Sequence, residues 1–86
     1  MLGSVILIGG EPGIGKSTIL LQLCGEVSRT RSVLYVTGEE SVRQIKLRAV
    51  RLDVPQDNIS IVAESDVDEI CGLIEQMKPD LVVIDS

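Results

Sequence analysis

Four short, mostly apolar segments read as strands, at residues 4–8, 33–37, 59–62 and 81–84, and three stretches of helical periodicity separate them. A continuous apolar run without polar alternation reads as a strand covered on both faces, the pattern of a parallel sheet. From Lys16 to about Ser28, Ile19, Leu20, Leu23 and Val27 recur at helical spacing and predict a sheet-facing stripe. Ser41 with Gln44 three residues on is a capping-box signature, and the helix it opens carries Val42, Ile45, Ala49 and Leu52. Ser65 and Asp66 predict the cap of a third helix, about 67–78. Its first turn holds Asp68 and Glu69, its expected buried stripe is Val67, Ile70, Cys71, Ile74 and Met77, and Pro79 stops it after Lys78. Residues 53–58 and 29–32 are polar connections. The order β-α-β-α-β-α-β with short connections predicts a three-layer parallel α/β sheet.

Composition sharpens this reading. With one Tyr, no Phe, no Trp and 44% apolar residues, the core must be built from Val, Ile and Leu. At 86 residues there is room for one small domain, shorter than a complete P-loop domain, so a partial domain of marginal stability is expected. The net charge of −5 divides into +3 over residues 1–52 and −8 over residues 53–86. That balance argues against a nucleic-acid clamp built from this segment alone. Cys24 and Cys71 form no C-x-x-C, and their positions predict two buried free thiols rather than zinc ligands or a disulfide. Residues 1–8 lack a basic start and no run is long enough to span a membrane, so the expected location is cytoplasmic.

Between the first strand and the first helix lies Gly10-Glu11-Pro12-Gly13-Ile14-Gly15-Lys16-Ser17, which fits the phosphate-binding P-loop G-x-x-x-x-G-K-[ST]. Its glycines let backbone N–H groups converge on one anion, and the helix behind adds its positive end. Lys16 is placed to reach the β- and γ-phosphates of ATP, and the Ser17 hydroxyl to ligate Mg²⁺. Glu11 lies within the binding segment but reads as solvent-facing. A glycine turn between strand and helix would explain neither the lysine nor the hydroxyl. The run 81–84 followed by Asp85 is a Walker B pattern, which puts a carboxylate for Mg²⁺ on the same sheet edge. Strand two delivers Glu39 and Glu40 to that edge, where a carboxylate can hold a water for attack on a γ-phosphate; either can equally serve the helix N-terminus that follows. Arg43, Lys46, Arg48 and Arg51 hold half of the basic residues and read first as a solvated helix face, with a nucleic-acid or subunit contact as the alternative.

Residues 9–18, the block Leu34-Tyr35-Val36-Thr37-Gly38-Glu39-Glu40-Ser41, the stretch 44–49 and the ending 79–86 together resemble the RadA (Sms) family of bacterial DNA-repair proteins, which are RecA-like ATPases. The resemblance covers essentially the whole chain. Its specific part is the Tyr-Val-Thr-Gly-Glu-Glu-Ser block and the helix after it, because the P-loop alone is shared by many families. It implies an ATP-driven, Mg²⁺-dependent motor on single-stranded or branched DNA, acting in recombination and branch migration as a hexameric ring. By position it implies phosphate and Mg²⁺ contacts for Lys16, Ser17 and Thr18, the Walker B role for Asp85 and the catalytic role for Glu39, with Glu40 as the fallback. The family's four-cysteine zinc module and Lon-protease-like domain have no counterpart in these residues, so the resemblance is to the part of the ATPase domain from Walker A to Walker B. It also implies that a strand encoded after Walker B lies between the P-loop strand and the Walker B strand. On that basis these residues alone would neither complete their sheet nor turn over ATP. Two other readings stand beside it: a small P-loop nucleotide or metabolite kinase, and an inactive truncated segment.

Overall fold

In the computed structural model the described residues are 5–9 and 16–85, with side chains described from Thr18 onward. They form β1 (Val5–Gly9), α1 (Lys16–Val27), β2 (Val33–Thr37), α2 (Val42–Arg51), β3 (Ile59–Ala63), α3 (Val67–Met77) and β4 (Leu81–Asp85). The expected order and element types are all present, and strand β2 has the expected bounds.

The four strands are parallel and lie in the order β1-β4-β2-β3. Strand β4 pairs on one side with β1, from Val5 opposite Leu81 to Gly9 opposite Asp85, and on the other with β2, from Val33 opposite Leu81 to Thr37 opposite Asp85. The strand expected between the P-loop strand and the Walker B strand is therefore not there among the described residues. β1 and β4 satisfy each other's backbone N–H and C=O groups directly, which is what unpaired parallel edges require.

The sheet sorts its side chains by alternation. Val33, Tyr35, Leu81 and Val83 face the larger core with Leu21 and Cys24 of α1 and Ile45 and Ala49 of α2. Leu34, Val36 and Val82 face the other way and meet Ile70 of α3. Every residue of β2 is buried, as a strand with a neighbour on each side and helices on both faces must be. Burying each such Val or Leu contributes about 1.5–3 kcal/mol relative to leaving it exposed. At the amino edge Ser32 accepts from the Asp80 N–H at 3.0 Å and its own N–H donates to Asp80 Oδ2 at 3.2 Å, which fixes the register of β2 against β4.

Two helical stripes differ from expectation. In α1 the buried positions are Leu21, Cys24 and Gly25, with Ser28 just beyond the helix; of the expected stripe, Leu20 and Val27 pack partly buried against the core, while Ile19 is 67% exposed and Leu23 is exposed. The apolar positions of α1 span a broad arc, wider than the face that is buried. Gly25 lies on that buried face, where a Cβ would stand 3.0 Å from Val54 Cγ1 and push the neighbour aside. In α3 the inward residues are Ile70, Leu73 and Ile74; Val67, Cys71 and Met77 are exposed. Among the described residues α3 alone covers its face of the sheet, so its flanks have no neighbouring helix to bury them. Cys24 is buried as expected, whereas Cys71 is not.

Candidate functional site

The site is built by the carboxyl ends of the parallel strands. The chain winds from β1 past β4 to β2 and β3 with α1 and α2 on one face, then returns to β4 through α3 on the other. The winding reverses around β4, and the crevice at the carboxyl end of such a reversal is where open α/β sheets bind ligands. There Gly9, Asp85 and Thr37 stand side by side on three adjacent strands. The Gly38 N–H donates to the Asp85 carbonyl at 3.0 Å and holds the start of the next loop against β4.

That loop is fastened by its own hydroxyl. Thr37 Oγ1 accepts from the Glu40 N–H and donates to the Glu40 carbonyl, each at 3.1 Å, closing Gly38 and Glu39 into a tight turn. Ser41 then caps α2: its Oγ accepts from the Gln44 N–H at 3.2 Å and the Gln44 side chain accepts from the Ser41 N–H at 3.1 Å. The expected capping box is thus formed. The two acids of the turn differ. Glu40 is held by both guanidinium nitrogens of Arg48, at 2.9 and 2.7 Å. The Arg48 hydrogen bond keeps the Glu40 carboxyl below its usual range, against the opposing effect of partial burial. Glu39 is exposed and lines a cleft of 360 Å³ with Thr37, Gly38, Glu40, Glu64 and Ser65. Of the four basic residues in α2, Arg48 is accordingly an internal tie, while Arg43, Lys46 and Arg51 are solvated.

Asp85 is half-buried at the end of β4, and the Tyr35 hydroxyl donates to its Oδ2 at 2.6 Å. Tyr35 is wholly buried, and burial first, then this hydrogen bond, push its phenol far above the ordinary value, so it stays a proton donor. Sequence reasoning used Tyr35 only as part of a family block. Its place two residues before Thr37, on the same face of β2 and level with β4, is the signal that could have paired it with Asp85.

The P-loop residues Gly10, Glu11, Pro12, Gly13, Ile14 and Gly15 lie outside the described residues. Lys16 and Ser17 are described as the first backbone positions of α1, and Thr18 follows them in the first turn. Asp85 at a strand end and a serine hydroxyl in the opening turn of α1 are hard oxygen donors, which suit Mg²⁺ bound with one or two protein ligands and substrate phosphates. No described helix is long and apolar enough to cross a membrane.

Residues 1–86 match the AAA domain family. The chain is 55% identical over 89 residues to the DNA repair protein RadA of Rickettsia bellii, with the whole chain and 20% of that protein covered. It is 53% identical over 85 residues to RadA of Pseudomonas aeruginosa and 50% identical over 84 residues to RadA of Escherichia coli, covering 98% of this chain and 18% of each relative. The chain therefore spans about a fifth of the length of the curated relatives it matches.

Proposed function

The chain belongs to the AAA domain family, and from that premise we propose that it carries the nucleotide-binding half of a RadA-like, DNA-dependent ATPase. The activity is proposed for a protein of its relatives' length. The observation that supports the reading is the side-by-side register of Gly9, Asp85 and Thr37, which puts the strand end before Gly10, the proposed Walker B acid and the strand end before the Glu39 turn on one sheet edge.

In this reading the backbone from Gly10 to Gly15 cradles the phosphates of ATP and the Lys16 ammonium neutralises charge on the β/γ side. Ser17 and Asp85 would hold Mg²⁺, with Thr18 adding a phosphate contact. Bound Mg²⁺ supplies charge neutralisation at the β- and γ-oxygens. Glu39 orients and polarises the attacking water, because Glu40 is already engaged by Arg48 and Glu39 is open to the cleft. The exposed acid also suits hydrolysis better than transfer to a second substrate. DNA contact, branch migration and a hexameric ring are proposed from the resemblance to RadA.

The experiment is a pair of assays on a chain of the relatives' length. One measures ATP hydrolysis with and without single-stranded DNA; the other measures phosphoryl transfer to nucleotide acceptors. DNA-stimulated hydrolysis without transfer supports the proposal. Transfer without DNA stimulation replaces it with a kinase.

A further inference from the structure

We propose that Tyr35 is a positioning residue for Asp85: its buried hydroxyl grips Oδ2 and fixes the rotation of the carboxylate that would face Mg²⁺. The inference rests on the reading of Asp85 as the magnesium acid.

The geometry is specific. Tyr35 is fully buried in the larger core, packed with Leu21, Cys24, Val83 and Ile45, so its ring cannot wander. The only polar atom of that side chain reaches the sheet edge and donates to Asp85 Oδ2 at 2.6 Å, within the range of a charge-assisted O–H···O⁻ bond. The backbone is equally fixed, with Tyr35 opposite Val83 and Thr37 opposite Asp85 in the ladder. A carboxylate at a strand end has a free χ2 unless something holds one oxygen. A rigid ring anchored in the core holds Oδ2 here, the arrangement by which outer partners orient metal-binding carboxylates and set metal affinity. A phenylalanine would fill the same space and satisfy the core; the hydroxyl is explained by Asp85.

Tyr35 is also the sole aromatic residue of the chain. Its emission therefore reports on its own hydroxyl, since a carboxylate acceptor quenches tyrosine fluorescence.

The test uses the 86-residue chain in four forms, the native one, Tyr35→Phe, Asp85→Asn and the double variant. Binding of Mn²⁺ in the presence of ATP is followed by electron paramagnetic resonance, and ATP binding without metal is followed by titration. Tyr35→Phe is expected to weaken Mn²⁺ binding by about 10- to 100-fold while metal-free ATP binding is unchanged. The double variant should be no worse than Asp85→Asn alone, because Tyr35 acts only through that carboxylate. In the native chain, Mn²⁺-free addition of Mg²⁺ with ATP should alter Tyr35 emission, and this readout needs no variant to fold. If Asp85→Asn weakens Mn²⁺ binding but Tyr35→Phe does not, the positioning role is overturned and the magnesium reading stands. If Asp85→Asn itself changes nothing, the magnesium reading falls and this inference with it. An emission that ignores Mg²⁺ and ATP, in a chain that binds both, also overturns the role.

Discussion

Arg48 and Glu40, eight residues apart, form a two-pronged ion pair that bolts the last turn of α2 to the turn after β2, with Nη1 to Oε1 at 2.9 Å and Nη2 to Oε2 at 2.7 Å. Each side chain is about a third exposed, so solvent screens the pair and its worth stays modest. Glu40→Gln should cost about 0.5–1 kcal/mol of folding stability at neutral pH. Because Arg48 holds the folded Glu40 carboxyl below its unfolded value, that increment is complete above the ordinary carboxylate range. It is lost as pH falls through the lowered folded value. Urea unfolding of the native chain and Glu40→Gln over a falling pH series from about 7 checks this: the gap between the curves should be full at the neutral end and shrink as the carboxyl protonates.

The two cysteines should react very differently. Cys24 is buried, which pushes its thiol up to about 12, whereas Cys71 lies exposed on α3. Under native conditions at pH 8 a disulfide reagent should titrate one thiol at once, and the second only at the rate of unfolding. Two fast thiols would contradict the packing of α1 on the sheet.

Lys78 ends α3 in the left-handed region, at φ 51° and ψ 54°, where a side chain is strained and glycine is not. Its N–H still closes the helix on the Ile74 carbonyl at 2.8 Å. Lys78→Gly should therefore raise stability by about 0.5–1 kcal/mol, measured as a higher urea midpoint with an unchanged slope.

Lys16 stands at the first position of α1, where a cation meets the positive end of the helix and gains nothing structural. Its place there makes sense through an anion. Lys16→Ala should weaken ATP binding by about 10- to 100-fold, the worth of one charged hydrogen bond, and leave the unfolding midpoint without nucleotide unchanged. Calorimetric titration with ATP checks the first part and urea unfolding the second.

The readable parts of the sequence were those in which one residue type has one physical use. The run Val33-Leu34-Tyr35-Val36 in β2, with no polar alternation, could only be a doubly covered strand. Ser41 with Gln44 could only be a helix start, and Asp66 before Val67 capped α3 as expected, with its side chain accepting from the Asp68 N–H at 2.9 Å. What stayed hidden depended on neighbours. The buried face of α1 includes Gly25, packed close to Val54, a contact between residues 29 apart that no periodicity carries. The exposure of Val67, Cys71 and Met77 follows from α3 having its sheet face to itself among the described residues. For the site, the pattern of residues put Asp85, Glu39 and Glu40 on one edge, and the resemblance favoured Glu39 with Glu40 as the fallback. The ion pair to Arg48 distinguishes them, and the Tyr35 hydroxyl was found only once β2 and β4 were seen in register.

The central claim is that Glu39, and not the engaged Glu40, handles the attacking water at this edge. Its most direct test compares Glu39→Gln with Glu40→Gln in a chain of the relatives' length, measuring ATP turnover under saturating nucleotide and Mg²⁺ alongside ATP affinity. Glu39→Gln should lose about 10²- to 10⁴-fold in kcat, the contribution of a positioned acid–base group, with ATP binding intact, while Glu40→Gln keeps most of its turnover. Turnover that survives Glu39→Gln and collapses in Glu40→Gln would contradict the account.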